Sequence, residues 1–426
     1  MEAVKENGRT GAVIALFFAT KYWGSKEEIL PVAGKIKETF SPVKTVTVID
    51  GDLTELFKGS ECDTIVIVPC SGSVQPDIIK ACADFSNKVI FAPYVEGNFD
   101  AQTTDKILYC NAAPTLMDTY SVLKRTADIR LIKTTTQLKS YLKAQEAVKK
   151  IKGARIAVIE QPEPWVISVE KDLSVYNDKT GVNMVKIPQS ELIDIYKSMD
   201  KDEVKDIYDY FKNGADQIIE PTDEDLQNAS KMAGAMLKII RKYKCMGMAI
   251  ACFNLITKTG INPCLGVSYI NGETPYFAAC EGDVDSAVTM LFIRALTDDA
   301  PWMANPNLGQ DETVNFVHCT APIKEHKYIL RSHHETGIGA SLDVKYDIGA
   351  DVSLFRYSGV ENKMTINSGK TVAGRYEPSC RTQLRIALDN YKGYIENVLG
   401  CHQVMSFADI KEQMQELAMI LGIEII

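Results

Sequence analysis

Gly11-Ala12-Val13-Ile14-Ala15-Leu16-Phe17-Phe18-Ala19 is an apolar run with no charged or polar interruption. Because no solvent-facing position alternates with the apolar ones, it reads as a strand buried on both faces. Runs at 43–50, 64–69 and 89–93 repeat the pattern. Between them Ile29, Leu30, Ala33, Ile36 and Phe40 share one face of a helix predicted over 26–40, and 77–85 shows the same spacing more briefly. Strands and helices in alternation build a parallel sheet with helices on both faces.

A Lys-rich helix predicted over 136–152 leads to Gly153, and a strand at 155–160 restarts the pattern. An amphipathic helix over 223–243 and a strand at 246–251 continue it. After Pro301 short strands with turn signals take over, at 314–319, 351–357 and 363–367. A final helix over 407–421 carries Ile410, Met414, Leu417 and Leu421 on one face and stops at Gly422. The fold class expected is α/β, with two successive doubly wound parallel-sheet domains followed by a mostly β C-terminal domain. The boundaries expected are 1–152 for an N-terminal α/β (Rossmann-like) domain, 153–305 for a central α/β domain, and 306–426 for the β domain with its terminal helix.

At 426 residues, 46% apolar and 24% charged, the chain can bury a large core and place clefts between domains. Its net charge of -9 comes from interspersed signs without a Lys/Arg stripe, which argues against a nucleic-acid partner. The first apolar run is too short for a bilayer, and no cleavage pattern follows it, so a soluble, unprocessed protein is expected. The 11 cysteines are scattered from Cys62 to Cys401 without a C-x-x-C pair. That spacing suggests reduced thiols in a cytoplasmic protein, and neither a disulfide framework nor a cysteine zinc site.

Two nucleotide motifs fail. Ser368-Gly369-Lys370-Thr371 has Met364 where a phosphate loop needs glycine, and Gly337-Ile338-Gly339 has Leu342 where a dinucleotide fingerprint needs its third glycine. Histidine is more informative, because all five, His318, His326, His333, His334 and His402, fall late in the chain. His326, between charged neighbours, reads as a surface residue. His318 ends a strand-like run, and His402 follows Gly400 before the last helix. Upstream, Cys280-Glu281-Gly282-Asp283 lies between a strand at 275–279 and a helix bearing Val284, Val288, Leu291 and Ala295 on one face. Ligands of open α/β sheets bind at such strand ends. Asp283 also suits a helix N-cap, which needs no catalysis, but capping leaves Glu281 unexplained. Carboxylates with separated imidazoles suit Mn²⁺, Mg²⁺ or a similar divalent ion.

Glu281-Gly282-Asp283, then Met303-Ala304-Asn305-Pro306, Val317-His318-Cys319, Ile338-Gly339 and Gly400-Cys401-His402 resemble, in that order, the L-arabinose isomerase and L-fucose isomerase superfamily. Phe17-Phe18-Ala19-Thr20-Lys21-Tyr22-Trp23-Gly24 is similar to the first strand and loop of the arabinose isomerases, and Cys110-Asn111-Ala112-Ala113 to the segment closing their first domain. The chain is shorter than those enzymes and is closer to the compact fucose isomerase-like branch. The resemblance implies aldose–ketose interconversion through an enediolate, with Mn²⁺, or Mg²⁺ or Co²⁺, on two sugar oxygens. It implies Glu281 and Asp283 as catalytic carboxylates and Glu281, Asp283, His318 and His402 as metal ligands, with Glu281 as base or ligand. Two departures stand out. Only Asn305 or Asn307 occupies the segment where the arabinose isomerases carry a second acid, and Gln403 replaces a second histidine.

The resemblance further implies a homotrimer or homohexamer in which Lys21, Tyr22 and Trp23 reach a neighbouring subunit's sugar. Asn305, His333, His334 and Arg381 are further candidates for lining the pocket. Arg331, Arg356, Arg375 and Arg381 are either solvated or suited to an anionic sugar, sulfonated like sulfoquinovose or phosphorylated. A non-catalytic sugar-binding protein is the rival from another class, since two successive α/β domains resemble periplasmic-type binding proteins.

Overall fold

The computed structural model describes residues 12–19, 44–49, 62–70, 72–83, 87–92, 112–126, 129–309 and 311–426. The chain divides into two compact units, Met1–Leu142 and Lys143–Ile426. In the first, β1 (Ala12–Ala19), β2 (Lys44–Ile49), β3 (Cys62–Pro69), β4 (Asn87–Phe91) and β5 (Arg130–Ile132) form a parallel sheet in the order β2-β1-β3-β4-β5. Ile65, Val66, Ile67 and Val68 are successive and all buried, so β3 is covered on both faces. The described helices of this unit are Gln75–Ala83 and Ala112–Thr126, and helix Thr135–Ile151 leads into the second. The helix expected over 26–40 and the loop bearing Lys21, Tyr22 and Trp23 lie outside the described residues.

The second unit begins with β6 (Arg155–Ile159), β7 (Asn183–Ile187), β8 (Gln217–Ile218), β9 (Gly247–Ile250) and β10 (Phe277–Ala279). All but β8 form a parallel sheet in the order β10-β9-β6-β7. Helix Asp223–Lys242 shows how sequence sets an element. Thr222 and Asp225 form a reciprocal capping box at its start, and Arg241 and Lys242 sit at its negative end. Its apolar face, including Leu226, Ala233, Met236 and Ile240, is buried.

The remaining strands pair mostly antiparallel: β11 (Trp302–Leu308), β12 (Thr313–His318), β13 (Lys327–Arg331), β14 (Ser341–Lys345), β15 (Asp351–Ser358), β16 (Lys363–Val372), β17 (Thr382–Leu388), β18 (Gln403–Ser406) and β19 (Glu424–Ile425). The order β15-β18-β11-β12-β17-β16 closes into a ring by pairing β15 with β16, and β19 adds in parallel to β16. β13 pairs with β14 and takes β8 as a parallel neighbour. Ser368-Gly369-Lys370-Thr371 lies within β16, and is not a loop.

Strand alternation divides the barrel residues between two cores. Trp302, Ala304, Leu354 and Met405 belong to one; Met303, Phe355 and Val404 join the core built on helix Val284–Leu296. Both cores also contain residues of the parallel sheet, Ile159 and Ile250 in the first, Ile156 and Ala279 in the second. The central and β regions therefore share their packing within one unit, and the boundary expected at 305/306 falls inside β11. Pro306 reads as a breaker, but it lies past the β18 ladder, which pairs only Trp302 to Ala304. Among the described residues no helix is long and apolar enough to cross a membrane.

Candidate metal centre

After β10 the chain makes a turn through two successive left-handed residues, Glu281 at φ 56° and Gly282 at φ 66°. Gly282 is required twice over. Its φ disfavours side chains, and a Cβ there would lie 2.7 Å from Pro162 Cα. Its N–H donates to Ile250 O at 2.8 Å, tying the turn to the end of β9. Asp283 then caps helix Val284–Leu296 by accepting from Ser286 N. A left-handed non-glycine residue of this kind persists only where its surroundings hold it, and Glu281 is held. Trp165 Nε1 donates to its Oε2 at 2.7 Å, and its carbonyl accepts from Glu163 N.

Glu281 Oε1 lies 3.7 Å from His318 Nε2 and 3.4 Å from His402 Nε2. His318 ends β12 and His402 immediately precedes β18, so two barrel strands deliver imidazoles to the carboxyl end of the parallel sheet. The far ring nitrogens are occupied: His318 Nδ1 meets Thr320 Oγ1 at 2.9 Å, and His402 Nδ1 meets Asp283 Oδ2 at 2.8 Å. Facing an ionised carboxylate, His402 Nδ1 carries the hydrogen, which leaves Nε2 with a free lone pair when the ring is neutral. Both Nε2 atoms are buried without a hydrogen-bond partner. One donor atom from each of the three residues lies within 4.8 Å of the others.

Burial alone would raise the Glu281 carboxyl, but His318 and His402 outweigh it and hold it well below the usual carboxylate range. Burial would likewise lower His402, but Asp283, Cys401 and Glu281 raise it well above the ordinary histidine value. His402 therefore stands between two carboxylates that favour its protonated form. Two imidazole nitrogens with tied second nitrogens, and one carboxylate, make a donor set that can hold a divalent ion. Charge points the same way. Glu281, Asp283 and Asp285 oppose a single guanidinium, Arg356, so with neutral imidazoles the buried group carries two uncompensated negative charges.

Asp283, expected from the sequence as a ligand, lies outside this three-residue donor group. Its Oδ2 accepts from Ser286 Oγ, Arg356 Nη1 and His402 Nδ1, and its Oδ1 from Ser286 N, at 2.7 to 3.0 Å. It positions His402 instead, in the way carboxylates orient metal-bound histidines. Arg356 is fully buried against Asp283 and Asp285, and Gly400 lets it approach, since a Cβ there would lie 2.8 Å from Arg356 Nη2.

The other candidates are dispersed. Asn305 sits on β11 beside the Ala304–Gln403 pair, but its side chain makes no hydrogen bond among the described residues. His333 is buried with both ring nitrogens engaged, by Thr336 Oγ1 and Glu335 Oε2, and joins a different cluster. His334 is half-buried in the adjoining turn. Arg381 donates to Ser332 O and Ser332 Oγ, fastening that turn. Arg331 is paired with Glu220. His326 packs edge-on to Tyr346.

Sequence reading missed Trp165 and Glu163. Both lie on the loop after β6, and a loop at the carboxyl end of a parallel strand was the available signal. Glu163 is buried, its Oε1 accepts from Asn254 N at 2.9 Å, and it lines a cavity of about 740 Å³ with Glu160, Val166, Ile167 and Lys186. Glu281, His318 and His402 are not in that cavity's wall, but Glu163 N donates to Glu281 O at 3.0 Å. No family model matches this chain, and no curated protein matches it either.

Proposed function

We propose that this protein is a divalent-metal-dependent aldose–ketose isomerase, as its resemblance to the L-arabinose and L-fucose isomerases implies, with Mn²⁺ as the metal. The observation that carries the reading is the convergence of Glu281, His318 and His402, far apart in sequence, with two buried and unpartnered imidazole nitrogens aimed at one carboxylate oxygen. A bound divalent ion would supply Lewis acidity toward two vicinal sugar oxygens. Glu281 holds rather than abstracts, because one oxygen is tied to Trp165 and the other faces both histidines. That leaves Glu163 to carry the proton between C2 and C1. Burial raises its carboxyl pKa against two backbone hydrogen bonds, which suits a group that must both accept and return a proton.

The carboxylate pairing of Arg331 and Arg356 favours a neutral pentose or 6-deoxyhexose over a sulfonated or phosphorylated sugar. A trimer or hexamer remains part of the proposal. The test is deuterium uptake at the transferred position in heavy water, over a panel of aldoses with Mn²⁺ added. Uptake that disappears in His318→Ala and on chelation supports isomerisation. Sugar retained in equilibrium dialysis with no uptake anywhere in the panel would make this a binding protein.

A further inference from the structure

A second group of donors lies in the same unit, built from three separate segments. Cys319 directly follows β12, His333 and Glu335 occupy the turn after β13, and Cys380 lies two residues before the start of β17. One donor atom each from Cys319, His333 and Glu335 falls within 4.8 Å of the others. His333 Nε2 is 3.2 Å from Glu335 Oε2, and Cys380 Sγ is 3.4 Å from Glu335 Oε1. The thiols of Cys319 and Cys380 are themselves hydrogen-bonded.

These separations have a simple meaning. With metal–nitrogen and metal–oxygen lengths of about 2.0–2.2 Å and metal–sulfur of about 2.3 Å, the edges of a tetrahedron around zinc are roughly 3.3–3.8 Å. His333 Nε2 and Glu335 Oε2, 3.2 Å apart, already stand near that distance, and a donor atom of Cys319 lies within 4.8 Å of one from each. The framework behind them is also fixed: His333 Nδ1 is held by Thr336 Oγ1 at 3.0 Å, His333 N donates to Ile338 O, and Arg381 clamps Ser332. Cys319, Cys380 and His333 are buried while Glu335 is 43% exposed at its side chain, which leaves one side open for entry.

The geometry points to a second metal site, a Zn²⁺ or similarly thiophilic ion bound by Cys319, His333 and Glu335, with Cys380 beside it hydrogen-bonded to Glu335. A thiolate selects a softer ion than the carboxylate and imidazoles of Glu281, His318 and His402 do, so the two sites sort metals by ligand chemistry. The site stands independently of the isomerase reading. Its donors come from separate loops and not from a C-x-x-C turn, so sequence spacing carries no sign of it.

Cobalt separates the two sites. The full chain, reduced and stripped of metal, is titrated with Co²⁺ and watched for the thiolate-to-cobalt charge-transfer band and for tetrahedral ligand-field intensity. The band is expected in the unmodified protein, is bleached by Zn²⁺, persists in the His318→Ala/His402→Ala double variant, and is lost in Cys319→Ser. Glu335→Gln, at an exposed position that leaves folding intact, is expected to weaken Co²⁺ binding at this site at least ~10-fold. A folded, Co²⁺-saturated protein without the band, or a band that survives in Cys319→Ser, overturns the proposal. Because the other centre contains no sulfur, its failure leaves this readout unchanged.

Discussion

Glu281 adopts a backbone conformation that few glutamates adopt, and its carboxylate is gripped at both oxygens, by Trp165 on one side and by two imidazoles on the other. Trp165→Phe keeps the ring beside Phe253 and removes only the N–H, so metal affinity is expected to fall about 10–100-fold with little change in melting temperature. Calorimetric titration with Mn²⁺ reads this directly. The proton on His402 gives a second expectation. Metal requires the neutral ring, and the neighbouring carboxylates raise the pKa, so binding releases a proton even above the ordinary histidine range. Apparent affinity should therefore drop by about tenfold per pH unit below that raised pKa, and the slope should shift to lower pH in Asp283→Asn. Glu163→Gln is expected to lower deuterium uptake by about 10²-fold or more while Mn²⁺ affinity stays near that of the unmodified protein. Equal losses in both measurements would assign Glu163 to metal binding instead.

The turn and helix that carry Glu281-Gly282-Asp283 act as one element. Asp283→Asn preserves a capping residue but removes the nearer of the two carboxylates opposing Arg356, whose guanidinium is wholly buried. A loss of about 3–5 kcal/mol in denaturant unfolding is expected, with helix content unchanged by circular dichroism. Folding lowers the Asp283 pKa, because Arg356 and His402 outweigh burial. Its contribution is therefore complete above its ordinary value of 3.8 and is lost as pH falls through the depressed folded value. Asp285 behaves oppositely: burial pushes it up to about 6, so its contribution is present below 3.8 and is lost as pH rises through about 6. Stability curves of the two asparagine variants should diverge from the parent in these two separate windows.

For the unit Lys143–Ile426, strand alternation stitches the parallel sheet and the barrel together through two shared cores. Trp302 is buried, stacked on Tyr346, and belongs to the core that also holds Ile159 and Ile250. Trp302→Ala is expected to cost about 3–5 kcal/mol and to reduce hydrogen-exchange protection in β9 and β15 alike. Protection lost in β15 only would mean that the barrel opens by itself. The same sharing places the candidate metal centre where it is, since Glu281 comes from the parallel sheet and both histidines from barrel strands.

The sequence alone determined what local periodicity controls. Unbroken apolar runs marked parallel strands such as β3, short strands with turn signals marked the β region, and Glu-Gly-Asp between a strand and a helix marked a turn with a cap at Asp283. It also supplied Glu281, His318 and His402, because histidines at strand ends are unusual enough to single out. Which acceptor a donor meets is a different matter, since hydrogen-bond partners across 119 residues leave no trace in spacing. Only the tertiary structure set Asp283 against His402 Nδ1, buried Arg356, and brought Cys319 to His333 and Glu335. The physical reason is that each of these roles depends on which buried groups compensate one another, and compensation is decided by packing between elements, not within them.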